Sequence, residues 1–120
     1  MAFEVNLQTV SVPASADLST KQFLFGTINA SGQVAVTGAG VASDGVIALG
    51  PSAQGRPCGL ASFPGQIARA MLGATVANGA LLEVDANGKA ITQASGKIVA
   101  KALSAGASGD IVPVLLILQR

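Results

Sequence analysis

The sequence predicts a mainly β fold: a small single-domain β-barrel or sandwich-like (β-tulip-like) arrangement, with an extended N-terminal arm and at most one or two short helices. Two observations predict it. The apolar runs are short, and Gly or Pro interrupts them at Gly50-Pro51, Gly55, Pro64-Gly65, Gly73, Gly79, Gly96, Gly106 and Gly109. Turn signals every 8–12 residues or so are the pattern of sandwiches and barrels. The second is a repeated turn, Asn29-Ala30-Ser31-Gly32 and Asp85-Ala86-Asn87-Gly88, 56 residues apart (29 to 85). At 120 residues the chain is one domain, long enough to bury roughly two thirds of its unfolded surface.

The elements follow in order. Residues 1–20 read as an extended arm and connector, with a strand over Glu4–Val10 in which Phe3, Val5 and Leu7 alternate with Glu4, Asn6 and Gln8. An arm of this kind is expected to be held by a sheet edge or a partner. Residues 21–120 form the β-rich domain. In each repeated turn, Asn or Asp bonds the backbone ahead of it and Gly accepts positive φ. This is the type I turn with a bulge, so two hairpins are expected, with arms near 22–28 and 33–36, then 81–84 and 90–93. The common offset fits either internal pseudo-symmetry or two independent turns. Further strands are expected at Val46–Leu49, Pro57–Phe63, Ile98–Ala102 and Ile111–Ile117. Gln66–Leu72 reads as a strand after the Pro64-Gly65 turn, with helix as the alternative. A short helix around Ala102–Ala107 is possible, limited by Gly106 and Gly109.

Half of the chain is hydrophobic, yet 22 residues are Ala and 15 are Gly, and only 11% are charged. A soluble monomer usually has about 25–35% of its surface charged. Two readings fit, a solvated Ala/Ser surface or a surface covered by neighbours, and the net charge of +1 favours the second because it opposes association so little. Lys21, Arg56, Arg69, Lys89, Lys97, Lys101 and Arg120 are scattered, so no nucleic-acid partner is expected. The most apolar run, Ile111 to Leu118, holds Pro113 and is far short of the about 20 residues of a membrane helix, so no membrane partner is expected either. No secretory signal pattern is visible at MAFEVNLQTV.

The residues for catalysis are missing. There is no His, Trp or Tyr, and the aromatics are Phe3, Phe23, Phe25 and Phe63. Cys58 has no His to activate it and reads as a small buried hydrophobe. Thr37–Gly45 (TGAGVASDG) carries Gly38 and Gly40 but has Ser43 at the third glycine position and no room for a following helix, so it reads as a loop. Asp85-Ala86-Asn87-Gly88 departs from a calcium loop at Lys89 and Ala90. Glu83 and Asp85 read as solvent-facing carboxylates. The expectation is no enzyme, no cofactor and no metal.

The second half carries a resemblance. Gly79-Ala80-Leu81-Leu82-Glu83-Val84-Asp85-Ala86-Asn87-Gly88-Lys89-Ala90 is followed by Val99-Ala100-Lys101-Ala102-Leu103, then Ser108-Gly109-Asp110-Ile111-Val112-Pro113-Val114-Leu115-Leu116. In order and spacing this resembles the bacteriophage capsid cement (head decoration) proteins, across most of residues 33–118 and best from Ala74 onward. The resemblance implies a β-rich protein made in the host bacterial cytoplasm and located on the outer capsid surface of the virion. It would bind the major capsid protein as homotrimers at threefold and quasi-threefold positions and stabilise the mature shell. Another virion part (tail or portal associated) and a surface receptor-binding module are the alternatives. The arm matches no motif of that family; its alternation makes Phe3, Val5, Leu7, Val10 and Val12 the candidate assembly interface, by strand addition to a neighbour.

Overall fold

The computed structural model describes residues 8–120, so Phe3, Val5 and Leu7 lie outside the described residues. Ten strands and no helix make up the described chain: β1 (Thr9–Pro13), β2 (Phe25–Ile28), β3 (Val34–Val36), β4 (Gly45–Leu49), β5 (Pro57–Ala61), β6 (Ile67–Met71), β7 (Leu81–Val84), β8 (Ala90–Thr92), β9 (Ala100–Ala102) and β10 (Ile111–Leu116). They form two antiparallel five-stranded sheets, ordered β1-β5-β4-β2-β3 and β6-β10-β9-β7-β8. Neither sheet closes on itself, so the sandwich-like alternative is realised and the barrel is not.

The two orders are the same order, so the 56-residue offset of the turns reflects pseudo-symmetry between the two halves. Gly26 pairs with Val36 and Gly45 as Leu82 pairs with Thr92 and Ala100. Single parallel bridges recur in both halves, Ala14 to Val34 and Leu72 to Ala90. The turns repeat atom for atom. Asn29 Oδ1 accepts from Ser31 N and Gln33 N at 2.9 and 3.0 Å, and Asp85 Oδ1 accepts from Asn87 N and Lys89 N at 2.8 and 3.0 Å. Gly32 and Gly88 take φ of 74° and 80°, which only glycine adopts freely.

The expected strand over Glu4–Val10 lies mostly outside the described residues; the first described strand is Thr9–Pro13, and Ala14 and Leu18 enter the core. One sequence expectation shifts. The segment 102–107 is not a helix. Val76 and Gly106 exchange N–H···O=C bonds of 2.9 and 3.1 Å, which holds it open as a bridge. Gln66–Leu72 is a strand as expected, β6. Pro113 sits in a central strand, where proline is normally excluded. It is tolerated here because it faces the end of the short β9: its carbonyl accepts from Leu103 N at 3.0 Å, and only the return rung is lost.

Two clusters hold the fold. Ala14, Leu18, Val34, Ile47, Cys58 and Leu60 lie on one face of the first sheet. The larger cluster is built from the second sheet and its loops, and it also takes Phe25, Val46 and Ala61. Those three are cross-strand neighbours, Phe25 to Val46 and Val46 to Ala61, so they form one row on the opposite face of the first sheet. That row is the seam between the halves.

Candidate assembly surface

β1 carries the described part of the interface expected from the sequence. Val10 and Val12 pair with Leu60 and Cys58. This register turns both valines inward, half-buried against the first cluster, and presents Thr9, Ser11 and Pro13 to solvent. Ala14 N donates to Arg56 O at 2.9 Å, which sets the phase of the ladder. In that phase the backbone groups of Thr9 and Ser11 point away from β5, and Pro13, lacking N–H, stands at an outward-facing position. Gln66 fastens the start of the strand. Its side-chain amide receives Gln8 N at 3.0 Å and donates to Gln8 O at 3.1 Å, in the manner of a ladder rung.

The seam is tied by the backbone. Phe23 takes φ of 71°, a left-handed conformation that costs a non-glycine residue about 1–2 kcal/mol. It is held there by Phe23 N donating to Ile47 O at 2.8 Å and Phe23 O accepting from Met71 N at 3.0 Å. Phe25 N donates to Gly88 O at 2.9 Å, Gly40 N to Val84 O at 2.8 Å, and Lys97 N to Gly40 O at 3.1 Å. Arg120 closes one end with an ion pair to Asp44. A groove of about 300 Å³ opens beside the seam between Phe23, Val46, Ala61 and Ala68, with Gln22 and Arg69 as its polar members. Nothing in it pairs a nucleophile with a base.

The polar residues singled out by the sequence serve the backbone. Glu83 is buried rather than solvent-facing, and its Oε1 accepts from Ala94 N at 2.9 Å. Gly96 is required beside it, since a Cβ there would fall 2.6 Å from the backbone Cα of Gly40 as well as against the Glu83 carboxylate. Ser43, in the glycine-rich loop, is fully buried; its hydroxyl donates to Gly26 O at 2.9 Å and accepts from Gly45 N at 3.1 Å. Among the described residues no group of three His, Cys, Asp or Glu is placed to hold a metal ion.

Cys58 is buried, and burial pushes its thiol pKa up. The thiolate is the reactive form, so the native protein should react with a thiol reagent about 100-fold or more slowly than the urea-unfolded chain. Equal labelling rates in the two states would contradict this burial.

No family model matches the chain, and no curated protein matches its sequence. Its fold does have a counterpart. The crystal structure of the N base of the head fiber protein gp8.5 of bacteriophage phi29 superposes with a TM-score of 0.69, covering 96% of this chain and 98% of that one. The two sequences are 13% identical, so the likeness is one of fold. The exposed apolar side chains Ile28, Val41, Leu49, Phe63, Leu81, Ile111 and Ile117 are the signal the sequence reading missed. Several end a strand or lie just beyond one, where alternation does not assign a face.

Proposed function

We propose that this chain is a non-enzymatic phage virion part. In this reading it decorates the outer surface of the icosahedral head, binding the major capsid protein as homotrimers at threefold and quasi-threefold positions. The observation that carries the reading is the end-to-end match in fold to the base of a phage head fiber. The resemblance of residues 74–118 to capsid cement proteins supports it independently, as does a sparsely charged surface with exposed Leu and Ile.

The mechanism is linkage. A protein that binds the mature shell and not its precursors or fragments stabilises that shell by RT ln(1 + [L]/Kd) per site. Repetition over a symmetric lattice multiplies a modest contribution, and no reactive group is needed.

The test uses heads lacking the protein, incubated with purified chain and recovered by sedimentation. Saturable binding, density at threefold positions and a higher temperature of DNA release are expected. Density confined to the tail, or no binding to heads, would defeat the proposal. Deleting residues 1–7 should weaken binding at least about tenfold if the arm adds a strand to its neighbour, while leaving β1 in place. Unchanged binding would exclude that role for Phe3, Val5 and Leu7.

A further inference from the structure

The two halves share a strand order but differ in what covers them. By the sheet registers, Phe25 corresponds to Leu81, Ile28 to Val84, and Val10 and Val12 to Ala68 and Ala70. Gly32 corresponds to Gly88 in the repeated turns. Within the chain, the first sheet lays its Phe25–Val46–Ala61 row against the second half and caps the Gly88 turn. The converse contact is not made among the described residues. Leu81 is 41% exposed where Phe25 is 0%, and Ile28 is 38% exposed where Val84 is 1%. A Cβ on Gly88 would lie 2.5 Å from Val36 Cγ1, but one on Gly32 would meet nothing within 4 Å.

A two-fold relation between the halves would have brought Leu81 to Gly32 as it brings Phe25 to Gly88. The seam is instead head-to-tail, one surface of the first half on a different surface of the second. Among the described residues one head and one tail are therefore left over. The leftover head is the row Leu81–Lys101–Leu115, whose members pair across β7, β9 and β10 as Phe25, Val46 and Ala61 pair across β2, β4 and β5. The leftover tail is the open side of the first half at Ile28 and Gly32, flanked by the half-buried Val10 and Val12.

We propose that the leftover head of one copy docks on the leftover tail of a second copy, repeating between chains the seam that joins the two halves within each. The partner is argued from the chain itself, since the equivalent tail is already covered by the equivalent head. Two differences make the contact between copies weaker than the internal seam. Lys101 stands where Val46 is buried, and Pro13 stands where Met71 donates to Phe23 O. Association should therefore depend on concentration. A contact of this type propagates, and closes into a ring where the rotation allows. The inference rests on the self-association proposed above and not on binding to a head, so it is tested with isolated protein.

Sedimentation of the full chain should show concentration-dependent species. Ile28→Lys disables the tail and Leu81→Lys the head, so each variant alone should need at least about tenfold more protein than the wild type to associate, because of the buried charge, and be monomeric where the wild type is half associated. Both positions are exposed at strand ends, and far-UV circular dichroism checks that the sheets remain. Mixed at that concentration, the two variants should form a 1:1 dimer and nothing larger, because one intact head meets one intact tail. Ile28→Thr and Leu81→Thr, which keep strand propensity, repeat the measurement if either Lys variant loses its sheet signal. A wild type monomeric at every concentration, single variants that associate like wild type, or a mixture that stays monomeric would each overturn the proposal.

Discussion

Gly50→Ala should lower the stability of the domain by about 3 kcal/mol or more, read as a fall in Tm of roughly 10 °C or more. Gly50 follows β4 and precedes Pro51, whose carbonyl accepts from Leu18 N at 2.9 Å. A Cβ at Gly50 would lie 1.8 Å from Leu18 O and 2.6 Å from Leu18 C. These are backbone atoms, so no rotamer change relieves the clash. The 14–18 segment must retreat, which breaks the bond to Pro51 O and draws Leu18 out of a cluster of six buried side chains among the described residues. The effect is steric alone, because Gly50 is not among the glycines of positive φ. Gly38 provides the control. A Cβ there would meet only Val41 Cγ2 at an ordinary 3.6 Å. Gly38→Ala should accordingly be neutral or stabilising by up to about 1 kcal/mol. A Gly50→Ala protein melting with the Gly38→Ala protein would refute this account of the first core.

What the sequence made legible was the chemistry that acts over a few residues. Asn29 and Asp85 form their turns through their own side-chain oxygens, so both hairpins follow from the residues that make them. Gly and Pro bounded β4, β5, β6 and β10 nearly as found. The pairing order was not legible, because β1 meets β5 across some fifty residues and that choice is made by burial rather than by local propensity. The pseudo-symmetry was hidden for a related reason. Equivalent positions keep a shared backbone path but differ in size according to what covers them, as with Val10 and Ala68 or Gly26 and Leu82. Only the turns, where backbone geometry restricts the residue type, kept a recognisable trace. For the candidate surface, alternation identified Val10 and Val12 as one face but could not say which way that face points. The register with Cys58 and Leu60 turns it inward.

Phe25→Ala should cost about 3–5 kcal/mol, the range for removing a fully buried Phe, and the loss should fall unevenly on the two sheets. Phe25 is fully buried, yet its row packs away from its own sheet's core and into the cluster of the second half. The two cores differ in self-sufficiency. Among the described residues seventeen buried side chains form the second cluster, of which Phe25, Val46 and Ala61 come from the first sheet, whereas six form the first. With Phe25 truncated, the second half loses one wall, while the first half loses most of its attachment to the larger core. Native-state hydrogen exchange separates the two. The amide of Ile47, bonded to Leu24 O, reports the first sheet, and that of Val99, bonded to Leu82 O, reports the second. Ile47 should lose more protection than Val99 in Phe25→Ala. Leu60→Ala, inside the first cluster, should also favour exchange at Ile47 but leave Val99 closer to wild type than Phe25→Ala does. Equal losses at both amides in Phe25→Ala would mean that the halves unfold as one unit however the seam is cut. A cost under about 1 kcal/mol would mean that the backbone bonds at Gly88, Val84 and Met71, and not the buried ring, join the halves.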